Sequence, residues 1–268
     1  MLLDVLHPID NAALEGFNLS YAMGVDQARK ATCEVGFIAR DCAENLRRNL
    51  AMLERLSEYF QSFRVVGYAN DCTDGTDVLL DKWRPVFDTR IEYAVLERPP
   101  ISGTRSPERT IALASYRNYV QSMMEGATYV LILDPDLLCV DEERLIAGLG
   151  EMFYHGYEGL AAQQLCLVPE VCKDRLINYD AWAWRPDWTW KQDSQRELSF
   201  HHDVRPAGCP PYYVNSAFGG ACWYDGNLYL RGEYDGHDDC EHVAFHKSMP
   251  DYYGHAVSPN MTVLGFIQ

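Results

Sequence analysis

The feature that most restricts the fold of this chain is an alternation of short apolar runs and amphipathic stretches between residues 34 and 133. Glu34-Val35-Gly36-Phe37-Ile38-Ala39 reads as a buried strand. Asp41 can N-cap the next segment, where Leu46, Leu50, Leu53, Leu56 and Phe60 recur in steps of three and four, the spacing of one helix face over Asn45 to Phe60. Arg64 to Ala69 is a second strand, and Asn70-Asp71-Cys72-Thr73-Asp74-Gly75-Thr76 a turn that opens another helix. Ile91 to Leu96 is a third strand, 99–107 a Pro/Gly/Ser loop, Arg109 to Met124 a helix, and Thr128 to Leu133 a fourth strand that ends at Asp134. Strand and helix in alternation at these lengths predict an α/β fold with a mostly parallel sheet and helices on both faces. Ligands collect at the carboxyl ends of the strands in such sheets, where the charged turns 70–76 and 134–136 fall.

The flanking regions are less regular. Residues 1–33 are weakly patterned and read as an irregular or short helical lead-in, with a single domain over 34–268. Past residue 166 the rhythm breaks into an aromatic-rich stretch (Tyr179, Trp182, Trp184, Trp188, Trp190) and a Pro/Gly/His-rich stretch at 199–214. Both read as loops and irregular strands over one end of the sheet. Asp239 to Met249 reads as a helix and Met261 to Phe266 as a closing strand.

Composition narrows the function. A chain of 268 residues, 47% hydrophobic, can bury one large core. Its formal charge of −16 works against nucleic acid or anionic lipid as a partner for the bulk surface. No run approaches the roughly 18–20 apolar residues that span a bilayer, and the first residues lack a signal-peptide pattern, so no stable membrane insertion is expected. The nine cysteines are an odd number and form no C-x-x-C pair. Reduced thiols and a cytoplasmic location are therefore expected. Sequons at Asn18 and Asn260 are too common by chance to alter that expectation.

Four local clusters can carry chemistry. Asp134 and Asp136, one residue apart after an apolar strand, suit Mn²⁺ or Mg²⁺, which take one or two carboxylates together with substrate phosphates. Strand exits also favour Asp and Pro for backbone reasons alone. Asp71 and Asp74 can accept hydrogen bonds from a nucleobase or ribose, or simply cap a helix. Arg109 and Arg117 fall on adjacent turns of one helix, placed to bind phosphate oxygens or to lie solvated. The segment Asp239-Cys240-Glu241-His242 offers a general base, with Ser216-Ala217-Phe218-Gly219-Gly220 before it allowing close backbone approach of a ligand; a capped acidic helix start is the structural alternative. The tryptophans near 182 suit either a sugar platform or packing.

Taken in order, these segments resemble the GT-A glycosyltransferases, and in particular the capsule-associated mannosyltransferase-like family and its bacterial and viral relatives. The likeness rests on Arg109-x-x-x-Leu113-Ala114-x-x-Arg117-Asn118, Asp134-Pro135-Asp136, Tyr179-Asp180-Ala181-Trp182-Ala183-x-Arg185, and Ser216 to Gly220 followed by Asp239-Cys240-Glu241-His242. It covers residues 34–265, with Pro186 standing where that family usually has Asp. The resemblance implies a Rossmann-like GT-A domain, residues 34–140 binding the nucleotide sugar and 141–268 the acceptor. It implies transfer of a hexosyl group from a UDP or GDP sugar to a hydroxyl of a glycan or lipid-linked acceptor. Asp134 and Asp136 would hold the cation, with His242 or His255 as a further metal or phosphate contact. Asp71 and Asp74 would sit near the nucleoside, and Arg109 or Arg117 would offset the phosphate charge with Asp134 at the diphosphate. Glu241 or Asp239 would serve as base, and Trp182, Gly219 and Gly220 would line the sugar site. An inverting enzyme would need that base placed for in-line attack, whereas a retaining one would use the leaving phosphate. Two other classes share parts of the pattern. A sugar-nucleotide nucleotidyltransferase would need a Gly-rich basic loop where this chain has Ala39-Arg40-Asp41-Cys42, and a non-catalytic carbohydrate-binding protein would use only the tryptophans.

Overall fold

The computed structural model describes residues 2–85, 88–95, 106–167, 175–190 and 194–267. Cys172, Leu96 and most of the expected loop at 99–107 lie outside the described residues. The centre is a nine-stranded sheet. Four strands, β1 (Thr32–Ala39), β2 (Ser62–Asn70), β3 (Asp88–Ala94) and β4 (Tyr129–Leu133), lie parallel in the order β3-β2-β1-β4. Beyond β4 come β8 (Ala221–Asp225), antiparallel to it, then β5 (Gly159–Leu167), β9 (His255–Ile267) and the short β7 (Tyr212–Tyr213). β6 (Leu176–Asn178) pairs with β5 off this path. The sheet is thus mostly parallel within an α/β fold, as the alternation predicts.

Strand periodicity divides the core in two. Cys33, Val35, Phe37 and Ala39 of β1 face one side, with Leu131 and Leu133 of β4, and pack on α3 (Ala43–Ser57), α4 (Thr76–Trp83) and α6 (Glu142–His155). Val66, Tyr68, Val130 and Ile132 face the other side and meet α5 (Pro107–Ser122) and the helix Glu241–Ser248. The predicted apolar face of α3 is buried in full at Leu46, Leu50, Leu53 and Leu56, each worth about 1.5–3 kcal/mol of transfer free energy.

Several elements differ from the sequence expectation. The lead-in contains the helices α1 (Leu2–Leu6) and α2 (Leu14–Ala28), and α2 lies along α6. The closing strand β9 starts at His255 rather than Met261, and Ser194–His202 within the expected loop region is a helix, α7. Ser216 to Gly220 is a turn before β8, with positive φ at Gly219 and Gly220. Asn260 of the second sequon is buried within β9, where no glycan can reach it.

The topology fixes the site. The chain runs from β1 outward through β2 and β3, then returns to place β4 on the other flank of β1. Where the order reverses, the loops leaving adjacent strands diverge and open a crevice beyond their carboxyl ends. Here those loops begin at Arg40 and at Asp134.

Candidate functional site

A cleft of about 740 Å³ occupies that crevice. Its wall on the β1–β2 side carries Arg40, Asp41 and Asn70, with Arg109 and Tyr116 from α5. The β5–β9 side brings Gln164, Tyr179, Trp182, His201 and Phe266. Between them lie Asp134, Asp136, Arg117, Asp180, Phe218, Glu241 and His242.

The Asp134–Asp136 loop is held from both sides. From α3, the Asn49 amide donates to the carbonyls of Pro135 (2.9 Å) and Leu137 (3.0 Å), and the Asn45 amide to that of Asp136 (2.6 Å). From the other flank, the Asp134 N–H donates to the carbonyl of Gly220 at 2.7 Å. Gly219 donates its own N–H to the Asp180 carboxylate at 3.0 Å. A Cβ on Gly219 would lie 1.9 Å from the carbonyl oxygen of Ala162, so this turn requires glycine for space as well as for its φ of +63°. The two glycines therefore act on Asp134 and Asp180 through the backbone.

Electrostatics concentrate on one buried guanidinium. Arg117 donates from Nη2 to Asp134 (3.2 Å) and from Nε to Glu241 (3.3 Å). Glu241 also receives the Cys240 thiol at 3.5 Å. Burial raises the Asp134 carboxyl to about 7 although Arg117 opposes the shift, with neighbouring Asp136 adding to it. Asp136 is exposed to solvent at the open end of the cleft, yet the enclosing walls raise its pKa also. Burial acts on Asp180 in the same direction.

Among the described residues no group of three or more His, Cys, Asp or Glu side chains is arranged to hold a metal ion. Asp134 and Asp136 nevertheless fit a hard cation that takes two carboxylates and completes its shell from substrate phosphates and water. Burial is the main cause of the raised pKa of both carboxyls, and a bound cation would offset that cost of holding them ionised.

The other predicted residues divide. Arg109, Trp182 and His242 line the cleft beside Arg117, Glu241 and the two aspartates. Asp71 and Asp74 do not. Asp74 accepts from the N–H of Ala43 and from Thr76, joining the starts of α3 and α4, and Asp71 accepts from Asn70. Asp239 is turned away into an ion pair with Arg185 at 2.5 Å, with Lys247 at 3.7 Å. His255 is a core residue with both ring nitrogens engaged, one by the Tyr253 hydroxyl (2.9 Å) and the other by the carbonyl of Ala217 (2.8 Å). Trp184 and Trp190 pack against each other and Trp188 lies under Lys247, leaving Trp182 of this group at the cleft. Sequence reasoning missed Asn45, Asn49, Asp41, Asp180 and Phe218 as site residues. Asp41 accepts from Thr73 and carries a φ of +44°, and its position after a buried strand was the available signal.

No protein-family model matches this sequence, and no curated protein does. Solved structures do match in shape. A mannosyltransferase from Pyrobaculum calidifontis in complex with GDP-Man and Mn²⁺ superposes with a TM-score of 0.53 at 13% identity, over 94% of this chain and 66% of that one. S. aureus TarS 1-349 in complex with UDP gives 0.53 at 13% identity, over 88% and 60%. This chain therefore spans between three fifths and two thirds of the length of these two structures. At such identities the likeness establishes architecture: the chain has the GT-A-like α/β fold that this mannosyltransferase also has.

Proposed function

We propose that this protein is a metal-dependent glycosyltransferase moving a hexosyl group from a nucleoside-diphosphate sugar to a hydroxyl of a glycan or lipid-linked acceptor, in the manner of the capsule-associated mannosyltransferase-like enzymes. The observation that carries the reading is the pair Asp134 and Asp136 at the end of β4, opening into the cleft at the switch point of the sheet. The complexes of the neighbours, GDP-Man with Mn²⁺ in one and UDP in the other, support the same ligand class.

In this reading Asp134 and Asp136 hold Mn²⁺ or Mg²⁺ against the diphosphate. The bound cation supplies Lewis-acid charge to the leaving group. Arg109, half-exposed on the cleft wall, meets phosphate oxygens, while Arg117 is committed to two carboxylates and fixes Glu241. Glu241 serves as the base or as the carboxylate that orients the acceptor hydroxyl. The aromatic side at Trp182 meets the sugars.

Thermal denaturation with UDP, GDP and their sugars, with and without Mn²⁺, tests this. A ligand at a hundred times its Kd stabilises the wild type by about 2.7 kcal/mol. Asp136→Ala should leave the unliganded melting temperature nearly unchanged and abolish the Mn²⁺-dependent rise. Retention of the full rise in that variant contradicts the cation assignment, and absence of any nucleotide effect in the wild type contradicts the transferase.

A further inference from the structure

The floor of the cleft contains two polar side chains with hydrogen-bonding atoms unused within the chain. His242 is 2% exposed, and neither ring nitrogen has a hydrogen-bond partner. The nearest approach is the Glu241 carboxylate at 3.8 Å from Nε2, beyond hydrogen-bond length. Arg117 is 6% exposed, and its Nη1 is likewise unpartnered. Buried polar groups are nearly always paired, and leaving one unpaired costs about 1–3 kcal/mol. Two such residues side by side, both lining the same cleft, point to a ligand that completes them.

The surroundings specify its chemistry. Phe218 touches both, its ring stacked on His242 with centroids 3.8 Å apart at 14° and with the Arg117 guanidinium 5.0 Å from its centre. Three carboxylates, Asp134, Asp180 and Glu241, act on this one guanidinium. That excess of negative charge disfavours a phosphate at the floor. Burial, reinforced by Arg117, holds the His242 pKa well below the usual histidine range, so the ring is neutral and presents one donor and one acceptor. A hydroxyl both donates and accepts, and so complements a neutral imidazole, a carboxylate and a guanidinium at once. A phosphate dianion has no proton to give.

We infer that His242 and Nη1 of Arg117, with the Phe218 ring, form the subsite for the hydroxyls of the transferred sugar, and that His242 is a specificity-determining residue for that sugar and not a metal or phosphate ligand. The inference rests on the nucleotide-sugar reading of this cleft, with the diphosphate lying toward Asp136 and Arg109.

Calorimetric titration in Mn²⁺ separates the two. Affinities are measured for UDP and GDP alone and for UDP-glucose, UDP-N-acetylglucosamine and GDP-mannose. His242→Phe keeps a ring to stack on Phe218 and removes both nitrogens, whereas His242→Gln keeps a donor and an acceptor. In His242→Phe the affinity for the free nucleotide should stay within about twofold. The ratio of sugar-nucleotide to nucleotide affinity should fall about fivefold to tenfold, the worth of one buried hydrogen bond. His242→Gln should recover part of that ratio. An unchanged ratio in His242→Phe, or equal weakening of nucleotide and sugar nucleotide, overturns the assignment. A wild type that binds the nucleotides but gains nothing measurable from any ring, with His242→Phe identical to it, overturns it as well. Failure of the wild type to bind any nucleotide instead overturns the reading of the cleft on which it rests.

Discussion

The carbonyls of Pro135 and Leu137 converge on one side-chain amide, that of Asn49, which is buried and sits on the helix behind the loop. Removing that amide leaves two buried acceptors without a donor, a change expected to cost about 2 kcal/mol in stability. The loop it holds carries Asp136, so Asn49→Ala should also weaken Mn²⁺-dependent nucleotide binding more than metal-free binding. Paired melting curves with and without Mn²⁺ decide this, and an equal loss under both conditions makes Asn49 a purely structural residue. The contrast between Asn49 and Asp136 shows what a single sequence conveys. Two acids after an apolar strand form a local pattern, visible within seven residues. The partners of Asn49 are 86 and 88 residues away, and nothing local marks an asparagine on a helix as their donor. Asp71 and Asp74 illustrate the converse, since a loop rich in acids satisfies its own backbone as readily as it meets a ligand.

At the scale of elements, the pair α2–α6 departs most from the sequence expectation. From Arg144 to Met152 every residue of α6 is buried, because α2 covers one side and the sheet the other. A helix enclosed in this way buries Arg144 and Glu151 along with its apolar residues, so its polar positions do not mark a solvent-facing side. α2 escapes notice for a different reason: its contact with α6 is made by small residues. A Cβ on Gly24 would lie 1.9 Å from the Ile146 carbonyl oxygen, and one on Gly150 would lie 1.9 Å from that of Ser20. The helices therefore meet backbone to backbone. Gly150→Ala must separate them, at a cost of about 1–3 kcal/mol from the disturbed packing. Gly16, also in α2, faces open space, with nothing within 4 Å of where a Cβ would stand. Gly16→Ala should therefore raise stability by about 0.5–1 kcal/mol through helix propensity. Chemical denaturation of the two variants tests the close approach directly. Equal effects of one sign would contradict it.

Across the whole molecule, buried titratable groups of opposite kind give stability a composite pH dependence. His255 is held neutral in the core, its pKa lowered to about 4 by burial. Its contribution is present above its unfolded value near 6.5 and is lost as pH falls through about 4. Glu151 of α6 lies buried against Ser258 and Asn260 of β9, and burial raises its pKa to about 7. Its contribution is present below the unfolded value of 4.5 and is lost as pH rises through about 7. The two slopes oppose each other across nearly the same window, and the raised carboxyl of Asp134 adds to the Glu151 side. Glu151→Gln removes one slope while the amide oxygen can still accept from Asn260. The variant should gain up to about 3 kcal/mol over wild type at pH 8, and the gain should shrink toward zero as pH falls to 5. Melting temperatures of both proteins from pH 5 to 8 measure the gap, and a gap independent of pH would show that Glu151 is ionised in the folded protein at neutral pH without strain. Because Glu151 joins α6 to β9, the same series reports whether the second half of the sheet, invisible to strand–helix alternation, unfolds together with the first. A single transition at every pH is expected, since β8 and β4 carry one ladder across the middle of the sheet and leave no seam between the halves.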